Sequence, residues 1–207
     1  LDWAFLTEPE KYLSGRRIIE HRGKVLGGSS SINGMVANRG NQMDYDGWAR
    51  EGLSDWSFES CLPHFKNLES FQMGCNVWRG GNGPQSIEVS NVTQQLSEAY
   101  LSAGKEAGHN FSDDQNGEHQ EGFHITQTLT KQGRRASAAD SYLKPILYRD
   151  NLVIETNCFV HTVKFSGKRA VKVKAEKNGE IINFEAHREI ILCAGAINTP
   201  KILMLSG

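Results

Sequence analysis

The stretch that decides the fold is residues 22–35, RGKVLGGSSSINGM, in which two adjacent glycines precede three serines. Paired glycines let the backbone come close to a ligand or a neighbouring strand, because no Cβ stands in the way. Serine side chains can accept hydrogen bonds from the free N–H groups of a following helix, and a loop of this kind can hold an anion. A tight structural turn has the same composition. Composition alone leaves both interpretations open.

Composition places the chain among ordinary folded proteins. Of its 207 residues, 38% are hydrophobic and 23% are charged, which excludes disorder and a collagen-like structure. Lys and Arg total 23 against 24 Asp and Glu, so no whole-chain field attracts nucleic acid or anionic lipid. The longest apolar run, Ile190–Ile197, is far shorter than the roughly 20 residues of a spanning helix. We therefore expect no nucleic-acid partner and no transmembrane segment.

The two ends of the sequence suggest an internal piece of a longer protein. The chain opens at Leu1 without an initiator Met, a basic region or an apolar signal segment. It stops at Ser206-Gly207, where a helix should lead into further structure.

No metal site is predicted. The four cysteines form no CxxC pair, so they are expected to be reduced and mostly buried. The polar stretch 109–119 fails the calcium-loop pattern, because Ser112 and Phe123 stand where carboxylates are needed. His119 and His124 lack a third ligand for zinc. We expect stretch 109–119 to be a solvated loop near a ligand cleft.

Helical patterns dominate the first half. Residues 44–71 predict two short helices packed on a core, the second starting at Leu62-Pro63. The turn sequence GGNGP at 80–84 indicates a subdomain boundary, and Val92–Gly108 has the spacing of an amphipathic helix. Five aromatic residues of the first segment are interpreted as packing rather than as a cation box: Trp48, Trp56, Phe58, Phe65 and Phe71.

Strand patterns dominate the second half. We predict strands at 125–129, 152–155, 160–165, 170–175, 181–184 and 190–193, with a helix over 137–148. Residues 166–168 and Asn178-Gly179 are predicted hairpin turns. Lys172 and Lys174 alternate with apolar neighbours, which predicts a sheet covered on one side.

The last segment has the pattern of a nucleotide-binding unit. Ile190–Cys193 is a continuous apolar run, as in a buried parallel strand, and it leads into the small residues 194–196. Thr199 is the expected cap and Pro200 the expected first residue of the following helix. A buried strand followed by a small-residue turn and a helix places backbone beside a bound nucleotide.

Two long motifs give the chain a family resemblance. Residues 22–35 with Arg39-Gly40 resemble the first signature of the glucose–methanol–choline (GMC) flavoprotein oxidoreductases, and residues 194–207 resemble the second. Shorter matches lie between them, at 44–48, 62–65, 133–137 and 151–152. The resemblance covers essentially the whole chain. Residues 120–123 and 168–171 are similar to the choline-oxidising subgroup.

The resemblance implies an α/β fold: part of an FAD-binding domain of GMC type with an inserted part of the substrate domain. The implied division assigns 1–76 and 133–207 to the FAD-binding domain and 77–132 to the substrate region.

It also implies which residues contact FAD. The first-signature contacts are Val25, Gly27, Gly28, Ser29, Asn33, Gly34, Met35 and Val36. Val160 matches the strand position whose backbone meets the adenine. Ala194 and Gly195 match the turn beside the ribose and phosphates, where backbone contacts favour small residues.

The implied reaction is oxidation of the CH–OH group of a small alcohol, such as choline, by hydride transfer to flavin. The family's pyrophosphate-binding segment is expected before Leu1 and its catalytic histidine after Gly207, so no catalytic residue is assigned within the chain. Ile32 stands where covalent members carry the flavin-linked histidine, which implies non-covalent FAD.

The implied partners are a small-molecule alcohol and an electron acceptor, and the implied location is cytoplasmic or peripheral to a membrane. Three alternatives remain: another alcohol substrate, a lyase that keeps FAD without redox turnover, and an isolated chain that is inactive.

Overall fold

The computed structural model describes residues 1–91 and 94–207, which form two compact units, 1–149 and 150–207. Helices and small sheets are mixed along the chain, which confirms the predicted α/β class. Among the described residues, no helix combines the length and apolar character needed to cross a membrane.

Among its described residues, the first unit contains three α-helices and seven short strands. They are β1 (Phe5–Leu6), β2 (Ile19–Glu20), α1 (Gln42–Arg50), α2 (Phe58–Leu68), β3 (Glu69–Phe71), β4 (Gln85–Val89), α3 (Gln95–Glu106), β5 (Gln127–Thr128), β6 (Thr130–Lys131) and β7 (Arg134–Arg135). β1 pairs with β2 and β6 with β7, both antiparallel. The predicted start of α3 at Val92 lies outside the described residues.

The central sheet of this unit has the order β3-β4-β5. β3 runs parallel to β4, with Phe71 opposite Ile87, and β5 pairs antiparallel with β4. Phe71, Ile87 and Ala37 form the buried core, and Val89 and Leu129 pack against them. The sheet therefore supports the backbone just after the Gly/Ser stretch, since Ala37 belongs to that core.

Side-chain caps set the starts of α1 and α2. Asn41 and Asp44 form a reciprocal capping box at α1. At α2 the Ser57 side chain accepts the N–H of Ser60, so the helix begins at Phe58 and encloses Pro63. The predicted start at Leu62-Pro63 is wrong, because the cap starts the helix a turn earlier and Pro63 removes only one N–H donor.

The aromatic residues of this region divide into two groups. Phe58 and Phe71 are buried, as predicted. Trp48 and Trp56 meet edge to face, with ring centroids 6.1 Å apart, but about half of each surface is exposed. The predicted core role is wrong for these two tryptophans, since neither is buried.

The second unit is an antiparallel meander covered by a helix. It contains β8 (Cys158–Ser166), β9 (Arg169–Lys177), β10 (Glu180–Glu185) and α4 (Gly195–Met204). Val163, Ala175 and Ile202 are buried in this unit, and the Val163 N–H donates to Ser206 Oγ at 2.8 Å. Asn178 and Gly179, with φ of 54° and 83°, form the predicted two-residue turn between β9 and β10.

Two predictions at the end of the chain are wrong. Residues 190–193 form no strand, and Ile191 is 73% exposed. An apolar run indicates burial but does not supply a pairing strand, and no described strand pairs with it. The helix begins at Gly195 rather than after Thr199, so Pro200 lies inside α4.

Two further segments differ from their predictions. Residues 137–148 contain a short π-helix at Ala139–Leu143 and a 3₁₀ helix at Lys144–Ile146 instead of an α-helix. Pro145 explains the break, because its ring removes a donor and restrains the preceding residue. Residues 152–155 alternate in burial but pair with no described strand.

Candidate cofactor site

The Gly/Ser stretch forms a tight loop closed by its own serines. Residues Gly28–Ser31 form a short 3₁₀ helix, entered through Gly27 at φ 86°. The Ser30 hydroxyl donates to Gly27 O at 2.5 Å, and the Ser31 hydroxyl donates to Leu26 O at 2.8 Å. These serines hold the loop rather than cap a following α-helix.

The glycines of the loop serve different purposes. A Cβ on Gly23 would lie 2.2 Å from the backbone atom Gly28 O, so packing requires this glycine. A Cβ on Gly27 would lie 2.5 Å from Ser31 Oγ, and Gly27 has a φ of 86°, which favours glycine. A Cβ on Gly28 or Gly34 would meet no atom within 4 Å. Gly28 has a φ of 55°, which itself favours glycine. Gly34 has neither a left-handed backbone nor a close neighbour, so nothing within the described chain requires a glycine there.

The predicted first-signature contacts form one continuous surface segment of the first unit. Val25 is 37% exposed and Val36 is 56% exposed, although both are apolar. Asn33 Oδ1 accepts the Met35 N–H at 3.0 Å and supports Met35 at a φ of 62°. The loop thus presents apolar side chains, backbone and an amide to its surroundings.

The other predicted contacts belong to the second unit. Val160 lies on β8 beside a register shift that separates it from Thr162. Ala194 is the N-cap residue of α4 and makes no side-chain cap, and Gly195 is the first helical residue. The N–H groups of this first turn are therefore suited to an anionic ligand. Gly195 has a φ of 84° and open space beside its Cα.

The backbone that follows the loop is anchored to a distant polar segment. The Ala37 carbonyl accepts hydrogen bonds from Gln115 Nε2 at 2.7 Å and Asn116 Nδ2 at 2.9 Å. The Ala37 N–H donates to Gln127 O at 2.9 Å. Gln115 and Asn116 are buried, so the expectation of a solvated loop at 109–119 is wrong for this part. Their amides turn inward because the Ala37 carbonyl is itself buried and needs donors.

A buried ion cluster, Arg39, Glu69, Arg79 and Asp114, lies next to these amides. Arg79 is fully buried and forms a two-bond contact with Glu69, at 2.8 and 3.2 Å, and one with Asp114 at 2.6 Å. Arg39 contacts Glu69 at 2.8 Å, and burial lowers the pKa of Arg39. The sequence gives no signal for this cluster, because its members come from four separate segments.

An apolar cavity of about 300 Å³ lies beside the loop. Its lining includes Val36, Tyr45, Phe65 and Tyr142, together with Arg39 of the ion cluster. Partial burial raises the pKa of the Tyr142 phenol.

No group of three or more potential ligands is placed to hold a metal among the residues that the structure describes. Of the cysteines, Cys61 is buried, whereas Cys75 and Cys193 are exposed. The prediction that the thiols are mostly buried is therefore wrong.

Comparison with known proteins identifies the family. The family profile of GMC oxidoreductase matches residues 11–207. The oxygen-dependent choline dehydrogenase of Brucella ovis is 45% identical over 206 residues, which cover 100% of this chain and 37% of that protein. The chain thus spans little more than a third of the curated relatives it matches.

Two solved structures share the fold along the whole chain. The pyridoxine 4-oxidase from Mesorbium loti superimposes with a TM-score of 0.93 at 30% identity and is covered over 41% of its length. An FAD-dependent oxidoreductase from Chaetomium thermophilum gives a TM-score of 0.93 at 29% identity over 38% of its length. With the profile match and the 45% identity, these likenesses confirm the resemblance predicted from the two signatures: the chain belongs to the GMC oxidoreductase family.

Proposed function

We propose that the chain is part of an FAD-dependent oxidoreductase that oxidises the CH–OH group of a small alcohol, choline or a similar one. Family membership and the 45% identity to a choline dehydrogenase support this substrate class. The chain contributes cofactor-binding segments, and no catalytic residue is assigned to it. A small alcohol and an electron acceptor are the proposed partners.

The observation that carries the proposal is the open space at Gly34. The chain's own packing and backbone leave this glycine unexplained, whereas the close approach of a flat cofactor would require it. The exposed apolar side chains of Val25 and Val36 flank the same segment. An apolar ring system laid on this surface would remove their area from water, which is favourable.

Each predicted contact then has a physical role. Val25 and Val36 would cover apolar parts of the cofactor, and the backbone of Gly27, Gly28, Ser29, Gly34 and Met35 would hold it together with Asn33. Val160 is assigned to the adenine, and Ala194 with Gly195 to the ribose and phosphates through the first turn of α4. When bound, FAD supplies the hydride acceptor for the alcohol carbon.

Two finer features complete the proposal. FAD is held without a covalent bond, since Ile32 offers no nucleophile where covalent members have a histidine. We assign residues 1–76 and 133–207 to the FAD-binding domain and residues 77–132 to the substrate region.

The test compares Gly34→Ala with Gly47→Ala in the whole protein. Gly47 lies in α1, where a Cβ meets only Arg50 Nη2 at 3.7 Å, so its replacement leaves the fold intact or stabilises it by up to about 1 kcal/mol. We expect Gly34→Ala to leave the unfolding free energy within about 0.5 kcal/mol of wild type.

FAD binding separates the two variants. Titration of apoprotein should show the FAD Kd raised about tenfold or more by Gly34→Ala, a loss of about 1.4 kcal/mol, and unchanged by Gly47→Ala. Acid precipitation of the wild type should leave the flavin in the supernatant. Equal Kd values for both variants, or flavin that stays in the pellet, would contradict the corresponding part of the proposal.

A further inference from the structure

One arginine, distant in sequence, holds the Gly/Ser loop. Arg135 ends β7, and its Nη1 lies 2.8 Å from Asn33 O, 2.9 Å from Asn33 Oδ1 and 3.0 Å from Ser30 O. A single guanidinium nitrogen of Arg135 therefore contacts three oxygens of residues that precede it by more than a hundred positions.

The loop needs such a donor because of how its 3₁₀ helix ends. The last carbonyls of a helix lack partners within the helix, and Ser30 and Asn33 lie at or just beyond the end of Gly28–Ser31. A charged donor makes stronger hydrogen bonds to these oxygens than a neutral one.

The segment that carries Arg135 makes a second contact with the loop. The Ala138 N–H donates to Ser30 Oγ at 2.8 Å, while the Ser30 hydroxyl donates to Gly27 O. Backbone and side chain of 135–138 thus fix both the glycine turn and the residues after it.

Through Asn33 the contact reaches Met35. Asn33 Oδ1 accepts hydrogen bonds from both Arg135 Nη1 and the Met35 N–H. Met35 has a φ of 62°, which is unfavourable for a residue with a side chain. By fixing the Asn33 amide, Arg135 also stabilises this backbone conformation.

We propose that Arg135 is a positioning residue for the cofactor: it holds Ser30 and Asn33 so that residues 33–36 keep the conformation that receives FAD. The inference rests on the proposed function, because it assumes that FAD binds to this loop. Arg135 acts through Asn33 and Ser30.

The adjacent Arg134 provides the matched control. Arg134 is exposed, its backbone pairs with Lys131 in the β6–β7 ladder, and its side chain makes no hydrogen bond or ion pair with any described residue. In the whole protein, we expect Arg135→Ala to raise the FAD Kd about tenfold or more, Arg134→Ala to leave it unchanged, and Arg135→Lys to give an intermediate value. Kd is measured by flavin fluorescence well below the unfolding temperature, and the visible circular dichroism of bound flavin reports its environment.

The outcomes separate the two hypotheses. A wild type that fails to bind FAD overturns the proposed function and this inference together. A wild type that binds FAD, with equal Kd for Arg135→Ala and Arg134→Ala, overturns the role of Arg135 alone. A merely structural role would lower the unfolding free energy and leave the Kd and the dichroism of the folded protein unchanged. If Arg135→Ala does not fold, a wild-type Kd for Arg135→Lys with an unchanged flavin spectrum also overturns the inference, and a weakened Kd supports it.

Discussion

Replacement of Arg79 by Met tests the buried ion cluster. Arg79 is 0% exposed and donates to both oxygens of Glu69, to Asp114 Oδ1 at 2.6 Å and to Gln127 Oε1 at 2.8 Å. Its guanidinium also lies 3.6 Å from the centroid of the Phe71 ring. Met has a similar length and is apolar, so the substitution removes the charge and the hydrogen bonds with little change in packing.

The magnitude follows from which charge loses its partner. The cluster holds two arginines and two carboxylates, so the variant leaves one excess negative charge. Glu69 keeps Arg39 at 2.8 Å, and the charge without an arginine is Asp114, whose side chain is 23% exposed. Removing one member of a buried pair costs about 3–5 kcal/mol, and water access to Asp114 places Arg79→Met near the lower end, about 3 kcal/mol.

Glu69→Gln should cost more, about 4–5 kcal/mol, because it leaves two arginines beside one carboxylate and Glu69 is only 3% exposed. The double variant leaves Arg39 and Asp114 as the charges. Its loss of unfolding free energy should therefore be smaller than the sum of the losses of the two single variants, by a coupling energy of about 2 kcal/mol.

Urea unfolding followed by tryptophan fluorescence is the assay. All four tryptophans of this sequence, Trp3, Trp48, Trp56 and Trp78, lie in the unit 1–149, so in the 207-residue chain the signal reports on that unit. Arg134→Met is the control and should stay within about 0.5 kcal/mol of wild type. A loss below about 1 kcal/mol for Arg79→Met, where a broken buried pair costs several kcal/mol, would refute this account of the cluster.

Two further predictions concern other parts of the chain. A hydrogen bond from Lys144, and to a smaller extent one from the Ser137 hydroxyl, lowers the pKa of Asp140 from 3.8 to about 2. The carboxylate therefore stabilises the fold above about pH 4 and loses this effect as the pH falls toward 2. The urea midpoint of Asp140→Asn should lie below that of wild type at neutral pH, and the two midpoints should converge as the pH falls toward 2. The control, Asp113→Asn at an exposed position, should have the midpoint of wild type throughout. A difference between Asp140→Asn and wild type that persists unchanged at low pH would contradict the stabilising role of the Asp140 carboxylate. In the unit 150–207, Ile202→Ala should lower the free energy of unfolding by about 2–4 kcal/mol, because Ile202 is buried. The control, Leu203→Ala at a half-exposed position, should lower it by about 0.5 kcal/mol. Unfolding of both variants is followed by far-UV circular dichroism. Equal losses would show that α4 does not bury Ile202.

Local chemistry made part of the fold predictable. Asn178-Gly179 specifies a two-residue turn because both residues tolerate positive φ, and the two hairpin strands follow from alternation around it. The Gly/Ser stretch stands out because its paired glycines carry no Cβ, and its length, together with the second signature, makes the family resemblance specific.

Other features depend on contacts between distant segments, which a local pattern does not contain. Ile190–Cys193 has the composition of a buried strand, yet a strand exists only where a neighbour pairs with it. Arg39, Glu69, Arg79 and Asp114 carry no motif, so their cluster emerges only in three dimensions. The hydrogen bond from Arg135 to Asn33 likewise joins residues that are 102 positions apart in the sequence.

The measurement that tests the central claim most directly is the visible spectrum of the whole protein before and after anaerobic addition of choline. The account predicts that protein desalted after incubation with FAD retains the flavin bands, and that choline or a similar small alcohol bleaches them. A colourless protein would contradict FAD binding by this family member. Retained bands that no small alcohol bleaches would contradict alcohol oxidation and leave the cofactor assignment standing.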